Sequence, residues 1–481
     1  MPTTKPDMST VVPLWIDGKE VTEDTHFDVV APSTAKPIWS ASSASPASAI
    51  CAVEAAGRAF DSWRKTKPAE IRTIFLRAAD IFDSRRDELA SYMRDETGAA
   101  QAFIDFNLNA TPEIFRDLAG RAANISGTIP PTQTPGQAAL VFKVPLGVIL
   151  GIAPWNAPLL LGARAVLYAI AGGNTVVLKG SELCPRTFWA LGSVMHDAGI
   201  PPGVLNVLFC RTNDAATVVS GMIEHRLVRK VNFTGSTAMG SIIASQCGKH
   251  LKPALMELGG KSPAIVCQDA NIEEAARSCA VGAMLHAGQI CMSTERIIVH
   301  RKVLDSFRTA LTTAVLHMYS NDGTAPLLVG TAAVEKNRKL LADAASKGSQ
   351  PLVGKVEGRE ESAYQMRPVI MSGVTPEMDM FHTESFGPTA SLIPVQDDDE
   401  AIKIANDTAQ GLSSAIFTTN LGRGLRLAQQ LQSGAVHINS MSVHDEVSLP
   451  HGGIKDSGWG RFNGQWGIDE FMTTKTVTFM E

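Results

Sequence analysis

From residue 144 to residue 257 short apolar runs alternate with helix-like stretches, and this alternation limits the fold more than any other feature. VPLGVILGIAP, NTVVLKGS, GVLNVLF and KVNFTGS read as strands, while 159–171 and TFWALGSVMHDAG, ending at Gly199, read as helices. A parallel strand pair needs a crossover of a dozen or more residues, usually a helix, so this rhythm implies βαβ units and a parallel sheet. The runs are apolar throughout rather than alternating, as expected of strands covered on both faces. A chain of 481 residues has room for two or three domains with full-sized cores.

The flanking regions have different patterns. The first 50 residues look irregular and strand-like, with a turn at Asp17-Gly18, and ASSASPASA leads into a helix. From there to Ala123, AVEAAGRAFDSWR and IRTIFLRAADIFDSRRDELASYM place apolar residues at i, i+3 and i+4, the helical period. Pro130, Pro131 and Pro135 then punctuate a segment with little helix potential. A second α/β stretch covers 262–449, with strands expected at SPAIVC, ERIIVH, SLIPV, SAIFTT and GAVHIN. It ends in the glycine-rich HGGIKDSGWGRFNG, and the tail TTKTVTFME alternates β-formers as an edge strand that a partner subunit could complete. The DDDE run at 397–400 reads as a solvated loop.

Composition removes several classes. Hydrophobic residues are 44% and charged residues 19%, an ordinary globular balance, and the net charge of -5 lacks the basic excess of a nucleic-acid binder. The seven cysteines are odd in number, widely spaced and without a CxxC, so neither a disulfide framework nor a metal cage is expected. Free thiols fit a reducing, cytoplasmic setting. MPTTKPDMST has no apolar core of a secretory signal, and no apolar run reaches membrane-spanning length.

Cys291 stands in HAGQICMSTERIIVH, just before a strand-like run, and Gly288 lets the backbone there pass close to something. A cysteine at a random position is usually inert core. Upstream, MELGGKSP carries Glu257 before the Gly259-Gly260 pair. In this order, ELGGK and GQxC are highly specific. With PWNAP (154–158), LKGSE (178–182), FTGSTAMG (233–240), ESFGP (384–388) and GGIKDSGWGR (452–461), they make the chain resemble the aldehyde dehydrogenase superfamily over nearly its whole length. Among its members the sequence is most similar to the salicylaldehyde, vanillin and benzaldehyde type, through APWNAP, GQICMSTERI and the HDE before the final glycine-rich loop.

The resemblance implies a doubly wound parallel-sheet cofactor domain (10–123 and 146–257), an α/β catalytic domain (258–448), and a small β-bridge (124–145 and 465–481) that joins subunits into a homodimer or homotetramer. It implies a small-molecule aldehyde as substrate and no metal. Cys291 would be the nucleophile, Glu257 the base, and the Asn156 amide with the Cys291 N–H the oxyanion donors. The chemistry requires such a set. A free thiol has a pKa near ~8.5, so it must hand its proton to something before it attacks. Losing one oxyanion donor typically costs ~3–4 kcal/mol. Read alone, Asn156 would be a capping or turn residue before a helix.

For the cofactor, the resemblance places Lys179 and Glu182 at the adenosine ribose. A carboxylate there repels a 2′-phosphate and favours NAD over NADP. Gly235, Ser236 and Gly240 would receive the pyrophosphate at a helix N-terminus. Glu384 would hold the nicotinamide ribose, Phe386 would pack near the nicotinamide, and Trp155 would lie beside the adenosine or be plain core. Arg164, in the apolar LLLGARAVLYAI, is either a structural ion pair or a group that recognises a substrate phenol or carboxylate. Phe103, Ile290 and Met292 are further substrate-pocket candidates that also suit a core.

Many relatives carry a glutamate before the C-terminal strand to help relay protons, where Thr473 stands here. This leaves Glu257 alone in the deacylation role. Two alternatives remain: a CoA-acylating relative, which usually lacks the ELGGK glutamate, and a non-catalytic binding protein, which should have lost nucleophile, base or amide.

Overall fold

The structure is a computed structural model that describes residues 11–319, 323–358 and 360–480. The N-terminal decapeptide read above for a signal lies outside the described residues. Two strands, β1 (Leu14–Ile16) and β2 (Lys19–Val21), turn at Asp17-Gly18 and are followed by the hairpin β3 (His26–Ala31) and β4 (Lys36–Ser42). Four helices come next: α1 (Pro46–Trp63), α2 (Pro68–Ser84), α3 (Arg86–Thr97) and α4 (Gln101–Arg121). Ser45 and Ser48 form a reciprocal capping box at the start of α1, within the small-residue run expected to lead into a helix.

After β5 (Gln137–Pro145) come β6 (Val148–Ile152), α5 (Pro158–Ala171), β7 (Thr175–Lys179), α6 (Pro185–Asp197) and β8 (Leu205–Leu208). The series continues with α7 (Thr212–Glu224), β9 (Val228–Thr234), α8 (Thr237–Lys249) and β10 (Ala254–Glu257). Strands β8, β7, β6, β9 and β10 run parallel in that spatial order. The order reverses between β6 and β9. Ligands of open parallel sheets bind beyond the strand ends at such a switch point. The segments leaving those two strands carry Trp155-Asn156 and Gly235-Ser236.

The second sheet starts with β11 (Ser262–Val266), α9 (Ile272–Met284), β12 (Thr294–His300), α10 (Leu304–Met318) and α11 (Thr331–Ser346). It continues through β13 (Gln350–Val353), β14 (Val369–Ser372), α12 (Asp379–His382), β15 (Thr389–Val395) and α13 (Asp398–Asn406). It closes with β16 (Gln410–Gly411), β17 (Ser413–Phe417), α14 (Leu421–Ala428) and β18 (Ala435–Ile438). The order is β13-β14-β15-β12-β11-β17-β18, with only β13 antiparallel.

The glycine-rich loop then folds back. Its β19 (Ile454–Lys455) pairs with β16, and β20 (Gly458–Trp459) joins the first sheet beside β10. Helix α15 (Gly464–Asp469) packs on α4 and α5, and β21 (Met472–Met480) pairs along its whole length with β5.

One expectation changes. The DDDE run is not a solvated loop: the Asp397 side chain caps α13 by accepting from the Glu400 N–H, and Asp398 pairs with Arg423 and Arg426. Acidic residues suit a helix N-terminus, where the dipole and free N–H groups favour negative charge. Helix α7 was not anticipated. Thr473 is exposed on β21 opposite Val144.

Candidate active site

Two glycine contacts bring the cysteine loop against the rest of the site. A Cβ on Gly260 would lie 2.2 Å from the Cys291 carbonyl oxygen. At Gly288, φ is +71° and a Cβ would lie 2.0 Å from the Gly387 carbonyl oxygen. Only glycine fits such backbone-to-backbone approaches. The ELGGK, GQIC and ESFGP segments therefore meet at one place. Gln289, which sequence reasoning missed, fixes the loop. Its side-chain oxygen accepts from the Val329 N–H at 2.9 Å, and its amide donates to the His286 and Leu327 carbonyls.

Cys291 Sγ lies 3.1 Å from Glu257 Oε1. The Asn156 amide donates to the Gln289 carbonyl at 3.0 Å, which holds it beside the cysteine loop. The Cys291 thiol, the Glu257 carboxylate and the Asn156 amide are thus brought together. Burial, then the adjacent Glu257 charge, pushes the Cys291 thiol well above its usual range. Glu257 is 1% exposed. Burial works to raise its pKa, but His451, Arg164 and the thiol more than offset this and hold the carboxyl below its ordinary value. The resting pair is therefore a protonated thiol beside an ionised carboxylate, the correct arrangement for a base to take the thiol proton.

Arg164 sits behind the pair, 2% exposed. Its guanidinium is paired with Asp445 and stands 3.8 Å from Glu257 Oε2, over the Phe462 ring. This geometry matches the ion-pair alternative. Asp445 belongs to the HDE noted in the sequence, but nothing local links it to Arg164. His451 Nε2 lies 3.5 Å from Glu257 Oε1. It too was missed, although it opens the glycine-rich loop.

A cavity of about 230 Å³ opens at the thiol. Cys291, Glu257 and Asn156 share its wall with Trp155, Gly235, Ser236, Glu384 and Phe386. Trp155 meets the Phe386 ring edge-on at 5.9 Å, on the same cavity wall as Cys291. Lys336 also lines the cavity and was missed, since a lysine in an ordinary helix carries no local signal. Glu384 Oε1 accepts from the Gly260 N–H at 2.9 Å, and burial followed by nearby Glu295 raises Glu384 to about 7.

Buried Lys261 and Glu295 hold this loop. Lys261 bonds Glu295 and the Thr383 carbonyl, while Glu295 accepts from the Ser385 and Phe386 N–H groups. Ser236 caps α8 by accepting from the Met239 N–H, and with Gly235 it lines the cavity. Gly240 meets Leu258, where a Cβ would lie 2.4 Å from it. Farther along the strand ends, Lys179 and Glu182 pair at 3.5 Å. Phe103 stacks on His286 at 4.4 Å, and Ile290 and Met292 flank the cysteine within the same core.

A thiol and a buried carboxylate 3.1 Å apart thus share one cavity wall with the segments that leave β6 and β9. The chain belongs to the aldehyde dehydrogenase family, whose model matches residues 15–477, and it is an aldehyde oxidoreductase. It is 41% identical to the vanillin dehydrogenase of Pseudomonas sp. strain HR199, over 97% of each chain. It superposes on the salicylaldehyde dehydrogenase of Pseudomonas putida G7, solved with salicylaldehyde, with TM-score 0.93 and 35% identity, covering 98% of each chain. It is similar also to the betaine aldehyde dehydrogenase of Staphylococcus aureus in complex with NAD+ (TM-score 0.92, 28% identity, 98% of this chain and 95% of that one).

The glycine contacts generate a test. Gly288→Ala forces the cysteine loop from Gly387 and should lower turnover on the order of 10²-fold, the typical result of a displacement near 1 Å. Gly221→Ala, on α7 with nothing within 4 Å of the added carbon, should leave turnover unchanged. Steady-state NADH absorbance checks both, with thermal melts confirming that each variant folds.

Proposed function

We propose that this chain oxidises an aromatic aldehyde to its carboxylic acid with NAD, through a thioester on Cys291 that water resolves. The 3.1 Å contact between Cys291 Sγ and Glu257 Oε1 carries the reading. Glu257 takes the thiol proton as sulfur attacks the aldehyde carbon. The Asn156 amide and the Cys291 N–H receive the developing oxyanion. The cofactor, when bound, accepts the hydride. Glu257 then takes a proton from the water that attacks the thioester.

The cavity beside the thiol, walled by Trp155, Phe386, Glu384 and Lys336, suits the nicotinamide end of that cofactor. The open N-terminus of α8 suits its pyrophosphate, and the Lys179–Glu182 pair suits an unphosphorylated ribose, so NAD is preferred to NADP. Aromatic selectivity is supported by the vanillin and salicylaldehyde dehydrogenases it resembles. We assign Arg164 to balancing the buried charges of Glu257 and Asp445. Glu257 favours water over CoA as the group that resolves the thioester. All seven cysteines are free thiols, and no helix among the described residues is long and apolar enough to cross a membrane. Both fit a cytoplasmic enzyme.

The β5–β21 ribbon exposes Phe142, Val477, Phe479 and Met480. An isolated two-stranded ribbon is marginal in water, so a second copy of this chain is assigned to cover it, as a homodimer or a pair of dimers.

Cys291→Ala should abolish NADH production while leaving NAD binding by calorimetry intact; residual turnover by that variant would exclude the covalent route. Glu257→Gln should accumulate acylated Cys291 in rapidly quenched samples, with steady-state turnover lower by on the order of 10²-fold. Across benzaldehydes and straight-chain aldehydes, run with NAD and NADP in parallel, kcat/KM should be highest for the aromatic set with NAD. Sedimentation should show an oligomer for the full chain and a smaller species once 472–480 are removed; a full chain that sediments as a monomer at micromolar concentration rules the assembly out.

A further inference from the structure

Glu257 has to act twice as a base, yet a guanidinium stands 3.8 Å from its Oε2 in a buried site. An arginine that close normally closes on a carboxylate with paired N–H donors, which lowers the carboxyl pKa and occupies the lone pairs a base uses. Here it does not close. The Arg164 side chain is 2% exposed, and its Nε is buried without a hydrogen-bond partner among the described residues. The guanidinium therefore keeps donors that a movement of about 1 Å would turn on Glu257. What holds it back is Asp445, from the HDE stretch after β18, whose Oδ2 accepts an N–H of the guanidinium.

Asp445 is itself anchored. Its Oδ1 accepts from the Asn463 amide at 2.9 Å, and the same amide donates to the Glu446 carbonyl at 3.1 Å. The Asn463 side-chain oxygen accepts from the Tyr168 hydroxyl at 3.2 Å. Tyr168 and Arg164 lie about one turn apart on α5, so the series Arg164–Asp445–Asn463–Tyr168 starts and ends on one face of one helix. Burial works to raise the Asp445 pKa, but Arg164, His451 and Asn463 more than offset this and hold the carboxyl below its ordinary value.

We propose that Asp445 is a positioning residue that holds the Arg164 guanidinium off Glu257, near enough to offset the buried charge and too far to hydrogen-bond it. The inference rests on the base role of Glu257 proposed above. Oε1 of Glu257 is left facing the Cys291 thiol at 3.1 Å and His451 Nε2 at 3.5 Å. Oε2 faces the Thr234 hydroxyl at 3.4 Å and the restrained guanidinium. Asp445 acts on the reaction only through Arg164 and Glu257.

Without the Asp445 charge, Arg164 has one carboxylate left and moves to it. Glu257 becomes a weaker base with one oxygen occupied, and the two half-reactions feel this unequally. In acylation the thiol gives its proton to Glu257 as the C–S bond forms, and the hydride goes to NAD. The charged groups around that thiol are Glu257, Glu384 and Arg164. Partial neutralisation of Glu257 makes the thiol more acidic, which compensates for the weaker base. In deacylation the water oxygen bonds to the acyl carbon, its proton goes to Glu257, the C–S bond breaks, and Glu257 returns the proton to the sulfur. Water is no more acidic than before, so deacylation bears the loss.

The test uses the full chain with NAD and benzaldehyde, and iodoacetamide without cofactor as a probe of the thiol. Asp445→Asn should keep a full first-turnover yield of NADH and lose on the order of 10-fold in steady-state kcat. Its kcat/KM for benzaldehyde, which reports acylation, should stay within about two-fold of wild type. Iodoacetamide should alkylate its Cys291 several-fold faster at the same mildly alkaline pH. A packing defect does not combine slower turnover with retained kcat/KM and a more reactive thiol. Asn463→Gly, at a backbone φ of +68° that suits glycine, removes the anchor and leaves both charges, so it should show the same pattern at smaller size. Wild-type kcat in folded Asp445→Asn overturns the proposal, as does a parallel fall of kcat and kcat/KM, or alkylation that is no faster. If thermal melts show that Asp445→Asn does not fold, Asn463→Gly decides alone by the same criteria. Absence of acyl mass on Cys291 in quenched Glu257→Gln sinks the thioester reading itself, whereas acyl mass there with an unaffected Asp445→Asn sinks only the role of Asp445.

Discussion

A negative charge buried beside a thiol is the constraint that organises this molecule. Leaving a carboxylate such as Glu257 at 1% exposure without compensation costs several kcal/mol. The compensation comes from distant parts of the chain: Arg164 from α5 and His451 from the C-terminal loop. Arg164 in turn requires Asp445, because a guanidinium in an otherwise apolar helix is as costly as the carboxylate it balances. The first sheet, the helix following its switch-point strand and the end of the chain are therefore tied together by electrostatics as well as by packing. The glycine-rich loop, which inserts β20 beside β10, is the covalent carrier of that tie.

In the reaction proposed for this site, the same charge sets the order of chemical events. Burial first, and then the Glu257 charge 3.1 Å away, raise the thiol pKa and disfavour a stored thiolate. The proton must then move as the C–S bond forms. This arrangement protects the sulfur from reaction when no aldehyde is present, because the thiol is far less nucleophilic than its thiolate. Under that proposal a single carboxylate can serve both halves of the reaction. Each half needs one proton removed from an attacking group at nearly the same point in space, first from sulfur and then from water.

The parts legible in the sequence were those whose cause is local. Uniformly apolar strands spaced by helices specified the parallel sheet. The ELGGK and GQIC blocks carried the glycines that allow close approach, and with them Glu257 and Cys291. What escaped was set by partners remote in sequence. Arg164 and Asp445 are 281 positions apart, and no periodicity links them. His451 faces Glu257 only because its loop bridges to Phe462. The acidic run at 397–400 was misread for a different reason: a helix N-terminus and a solvated loop favour the same residues, and only the alignment of Asp397 with the Glu400 N–H separates them. Trp155 lies within the PWN motif, yet its position against Phe386 depends on the loop that Glu295 and Lys261 hold.

That last network shows why the distances at the thiol can be short without a flexible loop closing over it. Glu295 at the start of β12 spends its carboxylate on the backbone of the ESFGP turn, and Lys261 neutralises it while reaching the Thr383 carbonyl. One buried pair thereby fixes the segment carrying Glu384 and Phe386 relative to the strand that follows Cys291. The Gly260 N–H donates to Glu384 while Gly260 itself touches the Cys291 carbonyl, so the nucleophile and the far wall of the cavity are both referenced to one peptide unit. Reacting atoms must be placed within a fraction of an ångström. Here that precision comes from backbone contacts and buried charge pairs anchored in the two sheets.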